Sequence, residues 1–126
     1  MRVLLDSHVI LWWLTTPAKL RKAAFSVLLA DDTEIFVSAA SWWELAIKRA
    51  LGRIRFDFDG ILAKLLQANV VKLDVTFAHA ENSAALPAHH SDPFDRMLAA
   101  QARCEGLVLM TRDKAFELYS VATIPA

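Results

Sequence analysis

Four short apolar runs, RVLL at 2–5, EIFVS at 34–38, VVKL at 70–73 and LVLMT at 107–111, are separated by stretches whose apolar residues recur three and four positions apart. Runs of this length without polar alternation predict strands covered on both faces. After Asp6, SHVILWWL is too long and continuous for another half-buried strand and predicts a helix. Pro17 opens AKLRKAAFSVLLADD, where Leu20, Ala23, Ala24, Val27 and Leu28 share one face and Lys19, Arg21 and Lys22 point outward, an amphipathic helix reaching about Asp31. AASWWELAIKRALG predicts a helix stopped by Gly52, FDGILAKLLQ another, and TFAHAENSAA a shorter one ended by Pro87. From Asp92 to Glu105, Phe94, Met97, Leu98, Gln101 and Ala102 keep helical spacing until Gly106, and DKAFELY and SVATI supply a last helical turn and a fifth strand. Strands alternating with helices predict an α/β fold of three layers, a central, mostly parallel sheet of about five strands flanked by helices.

The 126 residues suit one domain with one core, so residues 1–126 are expected to form a single domain. The longest unbroken apolar stretch, Val9–Leu14, is far short of the roughly 18 to 20 residues a bilayer requires. Asp6 and His8 interrupt the segment a secretory signal would need, and a cytoplasmic protein without membrane contact is expected. Cys104 is the only cysteine, which excludes an internal disulfide and a cysteine zinc site; it is expected to be a small buried residue. Three glycines build no phosphate-cradling loop, so kinase, P-loop and dinucleotide readings fail and no organic cofactor is implied. Fourteen basic and fourteen acidic residues cancel, leaving nucleic-acid contact to local patches such as Lys19-Arg21-Lys22 and Lys48-Arg49-Arg53-Arg55. These patches fit solvated helix faces equally well.

The acids are the chemically suggestive residues. Asp92-Pro93 with Asp95 two residues on is a good helix start: an N-cap, a proline at the first helical position and an acid at the third. Asp6 could cap the first helix, Ser41 with Glu44 fits a capping box, and Asp113 could start the turn after the fourth strand. Right-handed crossovers in a parallel sheet bring helix N-termini and strand C-termini to one edge, so Asp6, Glu44, Asp95 and Asp113 are expected along it. Carboxylates gathered within about 4 to 6 Å repel one another unless a cation lies between them. An all-oxygen set suits Mg²⁺, with Mn²⁺ as a substitute. Thr111 and Ser38, at strand ends beside these acids, could hydrogen-bond a carboxylate or serve as ordinary caps. Spacing alone leaves four caps and one metal site equally open.

Other features invite chemical readings and mostly decline them. Asp6, Ser7 and His8 are the residue types of a hydrolase triad, but consecutive residues diverge by about 100° at a helix start. His89 and His90 could touch a phosphate or metal, though adjacent histidines in a proline-flanked loop are more often solvated. Trp12-Trp13 and Trp42-Trp43 could stack on bases, but core and subunit packing is the commoner use. Helix 7–14 is apolar all round, which suits dimerisation or burial under a partner segment.

LLDSHVILWWL, SAASWWELAIK, HHSDPFDRMLAAQA and TRDKAF, taken in order along essentially the whole chain, closely resemble the PIN-domain family, specifically VapC-type toxins of bacterial and archaeal toxin–antitoxin pairs. The DPFDRMLAAQA block followed by TRDKAF carries most of the specificity. The resemblance implies a single PIN domain of α/β/α architecture, a homodimer and a cognate antitoxin. It implies a Mg²⁺-dependent endoribonuclease site on Asp6, Glu44, Asp95 and Asp113, with RNA as substrate, Asp6 and Asp95 as the foremost metal ligands and Glu44 as general base. Asp92 is an additional acid, read here as the cap, although it lies within one turn of Asp95. Two other readings stand beside it. A phosphoryl-transfer domain with nucleophilic Asp6 would want an acid where His8 stands. A non-catalytic protein-interaction module would keep the acids only as helix caps.

Overall fold

The computed structural model describes residues 1–89 and 91–126. Five strands, β1 (Arg2–Leu5), β2 (Glu34–Ser38), β3 (Val71–Leu73), β4 (Val108–Thr111) and β5 (Thr123–Pro125), form one sheet of order β3-β2-β1-β4-β5. Every neighbouring pair is parallel, with Leu4 of β1 in register with Phe36 of β2 and Leu109 of β4. Six α-helices fill the connections: α1 (Ser7–Thr15), α2 (Lys22–Leu29), α3 (Ala39–Ala50), α4 (Phe58–Gln67), α5 (Phe77–Ala85) and α6 (Pro93–Glu105).

The pleat sorts β1 into two cores. Val3 and Leu5 point to the layer holding Val9 and Ile10 of α1, Ala24 and Leu28 of α2, Leu45 of α3 and Ile61 and Leu65 of α4. Leu4 points the opposite way, onto Leu98, Ala99 and Ala102 of α6 with Phe116 and Tyr119. All three β1 residues are wholly buried, which accounts for the absence of polar alternation in their run. The expected α/β/α sandwich with a parallel sheet is thus the observed one.

The chain leaves β1 toward β2 and β3, then returns to place β4 and β5 on the other side of β1. With right-handed crossovers, that reversal moves the connecting helices from one face to the other. It also makes the carboxyl ends of β1 and β4 the topological switch point, the place where α/β sheets commonly hold their ligands.

Several local expectations are corrected. The helix expected from Pro17 to Asp31 is a 3₁₀ turn at Pro17–Lys19 followed by α2, because Leu20 and Arg21 adopt extended backbone between them. The last helical turn is a 3₁₀ helix, Lys114–Tyr119, and β5 begins three residues later than SVATI suggests. The capping box on Ser41 and Glu44 does not form: Ser38 Oγ accepts from Ala40 N at 3.0 Å, so α3 starts earlier and Glu44 lies more than a turn inside it. Cys104 is exposed rather than buried, since α6 turns Leu98–Ala102 inward and Cys104 lies beyond that stripe. Gly106 ends α6 with φ +64°, a left-handed conformation that favours glycine. Helix α1 is less exposed than an all-apolar helix suggests: Val9 and Ile10 are buried and Leu11–Leu14 half-buried against the core. The Arg112 guanidinium lies 4.2 Å from the Trp12 ring and donates to the carbonyls of Lys19 and Ala126, which covers one side of that helix. Among the described residues, no helix is long and apolar enough to cross a membrane.

Candidate active site

Asp6 stands at the switch point. Its backbone N–H donates to the Met110 carbonyl at 3.1 Å, extending the β1–β4 ladder to the first residue after β1. Its side chain is buried and held by three donors. His8 N and Ser7 Oγ reach Oδ1 at 3.2 Å each, and Thr111 Oγ1 reaches Oδ2 at 2.7 Å. A carboxylate offers roughly four lone-pair sites, so about one remains for a further ligand. Thr111 in turn accepts from the backbone N–H of Asp113 at 3.0 Å. One buried hydroxyl therefore links two predicted acids that are 107 residues apart in sequence.

Asp113 caps the 3₁₀ helix that follows β4, accepting from Ala115 N at 2.9 Å, and is exposed. Asp92 caps α6, accepting from Phe94 N at 2.8 Å and Asp95 N at 3.3 Å, so the fold gives it the capping geometry expected from Asp92-Pro93. Asp95 occupies the third position of α6 and is half-buried. Ser38, wholly buried, spends its hydroxyl on the α3 cap and faces no predicted acid through a hydrogen bond among the described residues.

Glu44 differs from the other acids. It lies in the interior of α3, is 4% exposed, and caps nothing. Oε2 pairs with Lys48 Nζ at 3.0 Å, whereas Oε1 is buried without a hydrogen-bond partner among the described residues. A buried carboxylate oxygen left unsatisfied is costly, and in a native fold it calls for a partner or a function. The Trp43 ring meets the Phe94 ring edge-on at 5.3 Å, tying the second turn of α3 to the start of α6 one residue from Glu44 and Asp95 respectively. Lys48 was legible only as a possible phosphate contact; its spacing four residues after Glu44 is the signal for the pair the fold makes.

Among the described residues no three Asp, Glu, His or Cys side chains are gathered closely enough to hold an ion as they stand. The structure unites Asp6, Thr111 and Asp113 in one hydrogen-bond chain and sets Glu44 and Asp95 on helices joined by the Trp43–Phe94 contact. His8 is exposed beside Trp12, His89 is exposed beside Tyr119, and His90 lies outside the described residues.

Comparison with known proteins bears on the family and the fold. The PIN domain family model matches residues 3–122. Ribonuclease VapC22 of Mycobacterium tuberculosis is 37% identical over 115 residues, covering 89% of this chain and 87% of that protein. Among solved structures, VapBC2 from Rickettsia felis bound to a DNA fragment from its promoter aligns with a TM-score of 0.74 at 15% identity, covering 100% of this chain and 99% of the other. The DNA-bound VapBC from Salmonella typhimurium aligns with a TM-score of 0.72 at 17% identity, covering 99% and 98%. VapBC-5 from Mycobacterium tuberculosis gives 0.65 at 23% identity, again over 99% and 98%. At these identities the structural likeness speaks for the fold alone.

Proposed function

The chain belongs to the PIN-domain family, and from that membership and the buried state of Glu44 we propose that it is a Mg²⁺-dependent endoribonuclease, the toxin of a toxin–antitoxin pair. Residues 1–126 act as one PIN domain in the cytoplasm, and a cognate antitoxin neutralises it. The 37% identity to Ribonuclease VapC22 over most of both chains supports the nuclease activity. The fold shared with toxin–antitoxin complexes of the VapBC type supports the antitoxin partner.

Glu44 carries the reading. Asp6, Asp92 and Asp113 all make capping hydrogen bonds, so an interaction module that keeps its acids as caps would explain those three. It does not explain a carboxylate inside a helix, 4% exposed, with one oxygen unpartnered among the described residues. That oxygen and the remaining lone-pair capacity of Asp6 are oxygen donors of the kind a hard divalent ion takes, so the residues present fit the group.

In this reading Asp6 and Asp95 are the principal ligands, with Asp113 and Glu44 completing the set. A divalent ion held there would lower the pKa of water and offset charge on the scissile phosphate. Thr111 fixes the Asp6 carboxylate through a 2.7 Å hydrogen bond, so that ligand is oriented before any ion or RNA arrives. Glu44 acts as general base, taking the proton of the attacking water. Asp92 holds the first turn of α6 and thereby the position of Asp95.

The test is calorimetric titration of Mn²⁺ into the antitoxin-free protein and its Asp95→Asn variant. The expected result is binding by the wild type that falls at least about tenfold in the variant, which removes one charged ligand. Absence of binding by the folded wild type would return the acids to capping.

The same proposal includes a homodimer. Trp43 is 63% exposed, Phe77 92% and Val75 41%, and Trp43 and Val75 line one groove with Phe94 and Met97. An apolar surface of this kind is expected to be covered by protein. Sedimentation at micromolar concentration is expected to give twice the chain mass; a strict monomer would reject the dimer without touching the nuclease assignment.

A further inference from the structure

Lys48 stands one helical turn after Glu44 with its ammonium 3.0 Å from Oε2. Most Glu–Lys pairs at this spacing lie on solvated helix faces and contribute little. This one is different because the Glu44 side chain is only 6% exposed and that of Lys48 27%. A carboxylate taken out of water needs a cation, and among the described residues Lys48 is the only one in ion-pair contact with it. The ammonium covers one oxygen and leaves the other, Oε1, without a hydrogen-bond partner among the described residues.

We propose that Lys48 is the resident counter-ion of Glu44, a built-in competitor that a divalent cation must displace or share the carboxylate with when it enters the acidic edge. This rests on the metal-site reading of the preceding section and assigns Lys48 as a positioning residue within it. Lys48 acts on the site through Glu44, by its charge and by its hold on Oε2. Its ammonium compensates the carboxylate before the ion binds and opposes the ion afterwards, through repulsion and through its hold on Oε2. Lys48 thereby lowers cation affinity while keeping the empty edge stable. Linkage makes the effect reciprocal: the bound cation weakens the Lys48–Glu44 pair by the same factor.

Two variants separate charge from packing. Lys48→Met keeps most of the apolar stem and removes the charge, whereas Lys48→Arg keeps the charge. In calorimetric titration with Mn²⁺, the Met variant is expected to bind about tenfold more tightly than the wild type, and the Arg variant within about twofold of it. Without Mn²⁺ the Met variant is expected to melt below the wild type, and saturating Mn²⁺ should raise its Tm by more than it raises that of the wild type. A structural ion pair with no bearing on the site would lower the Tm of the Met variant and leave both Mn²⁺ affinity and the Mn²⁺-induced shift unchanged. Unchanged or weaker Mn²⁺ binding by the Met variant, beside normal binding by the wild type, overturns the counter-ion role alone. A Met variant that folds poorly and is not rescued by Mn²⁺ does the same. Failure of the wild type to bind Mn²⁺ overturns the metal site itself, and the counter-ion role with it.

Discussion

Asp6→Asn is expected to leave the protein folded and to lower RNA cleavage by about a thousandfold or more, equivalent to roughly 4 kcal/mol of lost transition-state stabilisation. Folding survives because asparagine is among the best N-cap residues and its amide oxygen can still accept from His8 N and Ser7 Oγ. On the other side the amide NH₂ would face Thr111 Oγ1, which has a second lone pair beyond the one taken by Asp113 N. The variant thus keeps the cap and a reversed hydrogen bond to Thr111, and loses the negative charge together with the acceptor for the Thr111 hydroxyl. Cleavage of a mixed RNA pool, read beside a thermal melt, separates the two. Wild-type cleavage by a folded Asn variant would remove Asp6 from the site.

Glu44→Gln is expected to act in opposite directions on activity and stability. Cleavage should fall by about a hundredfold to a thousandfold if Glu44 is the general base and a ligand, as proposed above. The metal-free protein, by contrast, should become more stable by about 0.5 to 1 kcal/mol, because a buried charge is replaced by a neutral group of the same shape that costs less to take out of water. Lys48, at 27% side-chain exposure, can turn to water once its partner is neutral, so its loss of an ion pair costs little. Urea melts read this as a higher midpoint at unchanged slope. A midpoint lowered by the equivalent of more than about 1 kcal/mol would identify Glu44 as a structural partner of Lys48, whatever happened to cleavage.

These two acids also show how unevenly the site can be read from sequence. Asp6 sits between an apolar strand and an apolar helix, so strand-end and capping signals place it within one residue. Glu44 was misread locally: SWWE has the spacing of a capping box, yet Ser38 caps α3 because the helix already begins at Ala39. Both serines are good caps, and the choice went to the one at the end of β2, where the backbone leaves the sheet. The burial of Glu44 depends on α3 packing against its neighbours, which no spacing rule reports. Cys104 failed for a similar reason. Cysteine's general preference for interiors says nothing about which side of α6 residue 104 occupies.

The order of strands and helices, the continuous burial of β1, the cap at Asp92 and the stop at Gly106 all follow from rules that act over a few residues: hydrophobic period, proline and glycine geometry, and side-chain capping. Those rules also lead to the expectation that the acids lie along one edge of a parallel sheet, given the right-handed crossover. They do not say which strand lies beside which. Only the packed fold sets β4 against β1, brings Thr111 to Asp6 at 2.7 Å, and seals Glu44 with one oxygen on Lys48 and the other unpartnered among the described residues. The physical reason is that periodicity identifies an apolar face without identifying what covers it. Which polar groups lose their water is decided only when distant segments close over them.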